Sequence, residues 1–238
     1  MLIELYNRVD KFNRQLYNLV ERGEKVKKSV YSLVLMDEVI EEIDALAYSM
    51  NTSRSNLINQ ILAERVALVT PQQHMQRAFE AMAEVLQVYQ NFQIQEQLSD
   101  SLCTIRSVLK YKYNPTIRYA VTLGRSGNQF YGELKVVSRT QSAVLHNYLR
   151  GFFEIWSHFE KKQGLPGWQE EEGSRWVRSL IPSKPQSGEE MGKVLSSYIK
   201  ALDDGLRIYF SHLEDSNYTG LQIYKHYRSY LNKTTYRI

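Results

Sequence analysis

Hydrophobic residues recur along most of the chain at intervals of three and four, the helical period, and in a few places the interval drops to two. Leu2, Leu5, Val9, Phe12, Leu16 and Leu19 form a heptad seam that predicts a first helix over about residues 1–23. Tyr31, Leu33 and Leu35 then alternate with Val30, Ser32 and Val34, the period of a strand. At Asp37 the spacing becomes helical again. Val39, Ile40, Ile43, Leu46, Ala47 and Met50 share a face, and Asp37 with Glu38 sets negative charge at that helix's positive end. Asn51 suits the left-handed conformation that ends a helix. Ser53 is a good N-cap for a second helix, whose stripe is Leu57, Ile58, Ile61, Leu62 and Val66.

Beyond Thr70-Pro71, Met75, Phe79, Met82, Leu86, Tyr89 and Phe92 form one helical stripe, and Leu98, Leu102, Ile105 and Leu109 another. They predict one long helix, or two with a break in the amide-rich stretch Gln90 to Gln97, from about Gln72 to Tyr111. Asn114-Pro115 stops it. Ile117 to Leu123 and Phe130 to Val137 read as a hairpin around Gly124-Arg125-Ser126-Gly127-Asn128. A helix from Thr140 to about Gln163 carries Leu145, Tyr148, Leu149, Phe152, Phe153 and Trp156, the expected core of this region. Gly164 to Gly188 reads as a long loop with a turn around Ser174 to Leu180, and two helices follow, at about 189–214 and 218–231. The expected fold class is mainly α. It comprises an N-terminal helix (1–26), a strand-helix-helix module (27–70) and an α+β domain (71–238) of helices with one β-hairpin at about 117–137.

One short strand and two helices cannot close a core, because a lone strand leaves its backbone groups unpaired and so small a unit buries little apolar surface. A symmetric dimer solves this by pairing two strands as a ribbon over four helices. The stretch from Lys27 to Ala67, with its strand, polar turn, helix, Asn-Thr-Ser-Arg-Ser turn and second helix, resembles the ribbon-helix-helix family of Arc-like and Met-repressor-like DNA-binding proteins. The resemblance implies a homodimer whose ribbon lies in the DNA major groove. It makes Tyr31, Leu33, Leu35, Ile43, Leu57 and Ile61 the dimer core, and Val30, Ser32 and Val34 the positions that face base edges. Here the chain departs from the pattern. Family members commonly carry Arg, Lys, Asn, Gln or Thr at these positions, whereas two valines offer only apolar contact to thymine methyls. The alternative is a ribbon face covered by protein, in a dimer repurposed for assembly or for single-stranded nucleic acid. A second contact implied by the family is a phosphate held by free N–H groups at the second helix start, around Ser53, Arg54 and Ser55. Lys25, Lys27 and Lys28 lead into the strand and are placed to reach the DNA backbone.

Charge adds one refinement. The net charge is +4, yet residues 1–70 hold nine Lys and Arg against ten Asp and Glu, leaving twenty-one against sixteen from 71 onward. The positive excess lies outside the module, which admits RNA or another protein as a partner of the C-terminal domain. Arg118, Lys135 and Arg139 are placed to make a strand face basic. Tyr224 to Tyr230, then Lys233, Tyr236 and Arg237, interleave aromatic and basic side chains, a pattern that suits either base stacking or amphipathic packing. The single cysteine, Cys103, and five scattered histidines (74, 146, 158, 212 and 226) offer no disulfide framework and no metal-ligand spacing. No catalytic motif, cofactor site or membrane span is expected, and the expected compartment is the cytoplasm.

Overall fold

The computed structural model describes residues 30–66, 68–95, 101–112, 114–126, 129–140, 142–172, 174–182 and 187–238. The N-terminal heptad helix and Lys25, Lys27 and Lys28 lie outside them. The chain divides into two compact units, Met1–Val69 and Thr70–Ile238.

In the first unit, residues 30–36 belong to no helix and pair with no strand among the described residues. A strand is defined by its partner, and the described residues supply none. Helix α1 (Asp37–Ser49) follows. Met36 has no side-chain acceptor to cap it, so Asp37 and Glu38 in its first turn provide the compensating charge. Asn51 ends it at φ 51°, the left-handed conformation that Asn tolerates. Helix α2 (Arg54–Arg65) starts at Ser53, whose Oγ accepts from Asn56 N at 3.3 Å. Among the described residues of this unit only Ala47, Leu57 and Ala63 are buried.

The expected mainly α class with a single hairpin is overturned, because the second unit carries a six-stranded antiparallel sheet and the fold is α+β. Helix α3 (Pro71–Gln87) opens it with a reciprocal capping box between Thr70 and Gln73. It ends at Gln87 rather than continuing to Tyr111. Strands β1 (Phe92–Ile94) and β2 (Leu102–Val108) occupy the rest of that stretch. Strands β3 (Thr116–Ser126) and β4 (Gln129–Ser138) form the expected hairpin. Helix α4 (Ala143–Lys162) is capped by Ser142 rather than Thr140. Strands β5 (Gln169–Glu171) and β6 (Arg175–Leu180) stand where the long loop was expected. Helices α5 (Gly188–Ser211) and α6 (Ser216–Lys233) complete the unit. The strands make one antiparallel sheet, in the order β1-β2-β3-β4-β6-β5.

Alternation gives the sheet two unlike faces. Cys103, Ile105, Tyr119, Val121, Leu134, Val136, Trp176 and Leu180 are buried, and the intervening positions carry Thr104, Arg106, Arg118, Thr122, Lys135 and Arg175. Burial pushes the Cys103 thiol up to about 11, which leaves it protonated and unreactive. Helix α5 is buried on nearly all sides. It meets the sheet through Asp203, which accepts from Tyr119 Oη at 2.9 Å, Asn91 Nδ2 at 2.8 Å and Arg207 Nε at 2.8 Å.

Two glycines let α5 approach α3 closely. A Cβ at Gly192 would lie 2.3 Å from Ala78 O, and one at Gly188 would lie 2.5 Å from His74 O. Gly192→Leu is therefore expected to lose about 3 kcal/mol or more in urea unfolding, since backbone must move to admit the side chain. Gly220 on α6 is the control of opposite sign. A Cβ there meets nothing within 4 Å, so Gly220→Ala should gain about 0.5–1 kcal/mol from helix propensity.

Candidate nucleic-acid interface

The ribbon residues are fully presented in the single chain. Val30 and Val34 are 99% and 102% exposed, and Ser32 between them is exposed as well. The side expected to face a core is exposed too, though less so: Tyr31 is 82% exposed, Leu33 61% and Leu35 38%. Ile43 is half-buried, Leu57 is buried, and Ile61 is exposed. Leu46, Met50, Leu62, Val66 and Leu68 add to the uncovered apolar surface. Isolated exposed apolar side chains are ordinary, but a run of this size is typical of a surface made for contact.

The start of α2 is built as expected, with one change. Ser53 caps the helix, so the N–H groups of Arg54 and Ser55 in its first turn have no intrahelical acceptor and suit an anion. The Arg54 guanidinium, however, is taken. Its Nε donates to Asp44 Oδ1 at 2.5 Å, and its Nη2 bonds the other carboxylate oxygen, which clasps α1 to α2. The pair holds the Asp44 carboxyl below its ordinary range and raises Arg54 above its own, each through their shared hydrogen bond. A phosphate here therefore meets main chain rather than the Arg54 side chain. Asp44 was missed in the sequence because its partner lies ten residues away, across the turn.

In the second unit the basic and aromatic pattern of α6 resolves into two sides. Ile223, Tyr227 and Tyr230 are buried, while Tyr224, Lys225 and Arg228 are exposed. His226 Nε2 lies 2.8 Å from Ala201 O. This is the arrangement of an amphipathic helix. A cleft of about 240 Å³ between α4 and α6 is bordered by Phe159, Lys162, Tyr224, Arg228 and Arg237. Of the expected basic strand face, Lys135 is neutralised, with Glu133 at 3.7 Å and Glu171 at 3.4 Å.

His146 sits in a polar cluster. Its Nδ1 is 2.5 Å from Ser174 Oγ and its Nε2 is 2.8 Å from Glu170 Oε1. Arg150 grips Glu170 through Nε at 2.8 Å and Nη2 at 3.0 Å, which holds the Glu170 carboxyl below its ordinary range. Serine, imidazole and carboxylate stand in the order of a nucleophile, a base and its orienting group. Ser174 is nevertheless buried, at φ 58°, and the imidazole packs on Trp176 with ring centroids 5.6 Å apart. The cluster fastens the β5–β6 turn to α4. Among the described residues no three His, Cys, Asp or Glu side chains are grouped to hold a metal ion, and no helix is long and apolar enough to cross a membrane.

No protein-family model, curated protein or solved structure matches the chain.

Proposed function

We propose that the protein is a homodimeric DNA-binding transcriptional regulator of ribbon-helix-helix type, working in the cytoplasm without enzymatic activity or cofactor. The observation that carries this reading is the alternating segment 30–35, which leads into the extended N-cap of α1, is exposed on both faces and pairs with no strand among the described residues. Its backbone donors and acceptors suit a second copy of the same segment, which would make an antiparallel ribbon about two-fold symmetry. Behind it, α1, the Asn51 turn and the Ser53-capped α2 follow in the order such a dimer needs. In this reading the second unit adds dimer contacts or senses an effector. The burial of Ser174 supports reading the His146 cluster as packing rather than as a nucleophile.

The outward valines favour a second reading, a dimer that uses the same fold to assemble with another protein. Val30→Ala and Val34→Ala separate the two. If the ribbon reads base edges, each substitution relaxes preference at one base position in a site-selection assay and leaves the melting temperature within about 2 °C. If protein covers the ribbon, each costs on the order of 1–3 kcal/mol of stability and nucleic-acid binding is unchanged.

A further inference from the structure

The outer face of the sheet carries positive charge that its surroundings do not neutralise. In the pairing of β2 with β3, Arg106 lies directly opposite Arg118. On the other side of Arg118 lies Val137, and Arg139 follows just past the end of β4, close enough for its charge to act on Arg118. Neighbouring strands are about 4.8 Å apart, so the three guanidinium groups share one neighbourhood. Like charges placed opposite each other weaken a strand pair. The repulsion registers on Arg118, whose guanidinium is held below its ordinary range by burial and by the charges of Arg139 and Arg106.

Elsewhere on this face the cations have carboxylates beside them. Lys135 lies between Glu133 and Glu171, and Arg175 is opposite Glu171 across β5 and β6. Among the described residues no carboxylate lies within ion-pair distance of Arg106, Arg118 or Arg139, and Arg106 Nε is buried without a hydrogen-bond partner.

We propose that Arg106, Arg118 and Arg139 form a binding site for the phosphodiester backbone of duplex nucleic acid, gripped without regard to sequence. Planar guanidinium forks match phosphate oxygens two at a time. A duplex presents rigid, regularly spaced phosphates to Arg106 and Arg118, which strand geometry fixes, and to Arg139 beside them, whereas an acidic peptide would have to order flexible side chains to do the same. A single strand is the poorer fit. Tyr131, on the same face, lays its ring over Gly124, and the strand positions paired with Arg106 and Arg118 are not aromatic, so the register offers no stacking platform there. The site rests on the DNA-binding reading only for the choice of polyanion, since its geometry is independent of residues 30–35.

The test uses full-length protein and a labelled random-sequence duplex of about 20 base pairs, with affinity followed against salt. In Arg106→Gln/Arg118→Gln/Arg139→Gln the slope of log affinity against log salt should fall by roughly 2–3, and low-salt binding should weaken by about 10- to 1,000-fold for every sequence alike. The melting temperature should hold or rise by about 1–3 °C, because repulsion is relieved. An unchanged slope in the folded variant overturns the proposal. So does a fall in melting temperature with the slope unchanged, which makes the arginines structural. If the triple variant folds poorly, Arg118→Gln alone, with an expected slope loss of about one, carries the same decision. Poly-L-glutamate competing as well as duplex at equal charge also overturns it, in favour of an acidic protein partner. The ribbon reading fails separately, if Leu33→Asp leaves dimer and sequence preference intact. A slope loss that persists in the Leu33→Asp background shows that the arginine site stands independently of the ribbon.

Discussion

Arg178→Met is expected to lower the stability of the protein by about 3–5 kcal/mol, because it strands a buried carboxylate. Glu160 and Arg178 are both fully enclosed, with Arg178 Nε 3.2 Å from Glu160 Oε2. Glu160 Oε1 also accepts from Trp156 Nε1 at 3.1 Å and from the Tyr198 hydroxyl. The guanidinium donates to Pro166 O at 3.1 Å and to the Ile238 main-chain oxygen, and lies 4.8 Å from the Tyr198 ring centroid. Removing it therefore unties α4, β6, α5 and the segment after α6 together. Burial already pushes the Glu160 carboxyl above its ordinary range, with the Arg178 charge as the main opposing influence. Losing that charge raises it further. A carboxyl raised in the native state keeps a proton that the unfolded chain has released, so stability falls as pH climbs from the ordinary value through the raised one. The deficit should thus be larger at pH 8 than at pH 5. Arg178→Met/Glu160→Gln should recover part of it, since no charge is left unpaired. Urea midpoints of the three proteins at both pH values check this. Equal deficits at both would assign the loss to shape rather than charge.

If the protein dimerises through a ribbon as proposed, Leu33→Asp should abolish that dimer. On the inward side of a symmetric ribbon, each protomer would bring its carboxylate beneath the paired strands, at a desolvation cost of several kcal/mol per ion. That raises the dissociation constant by at least about 10³-fold. Sedimentation at micromolar concentration should then show monomer, and sequence-selective DNA binding should vanish with it. A Leu33→Asp protein that stays dimeric with unchanged helix content would exclude the ribbon.

What could be read from the sequence was what is written locally. The Asn51 turn, the Ser53 cap and the β3–β4 hairpin announce themselves within a few residues. Strand β2 did not, because Leu102, Ile105 and Leu109 coincide with helical spacing. Its true period is obscured by Ser107, a polar residue that is buried on the core side. Strand β6 was hidden more deeply. Its inward series is Trp176, Arg178 and Leu180, and a charge in the middle of a core face reads as solvent until Glu160 is brought to it from α4. Surrounding glycines, prolines and Glu170 to Glu172 completed the disguise. The same error concealed Arg106. With β2 taken as helix, only Arg118, Lys135 and Arg139 stood out as a basic face. The strand register then exchanged one member, bringing Arg106 opposite Arg118 while Glu133 and Glu171 neutralised Lys135.

Because the sheet has one apolar face and one polar face, the two parities of its strands live under different rules. Along β3, Ile117, Tyr119, Val121 and Leu123 are buried, and each is locked by the shapes packed on it. Arg118, Ala120 and Thr122 alternate with them and answer only to whatever meets the open side. Descendants of this chain can therefore rewrite every second residue of a strand, changing what the surface attracts, without disturbing the scaffold that displays it.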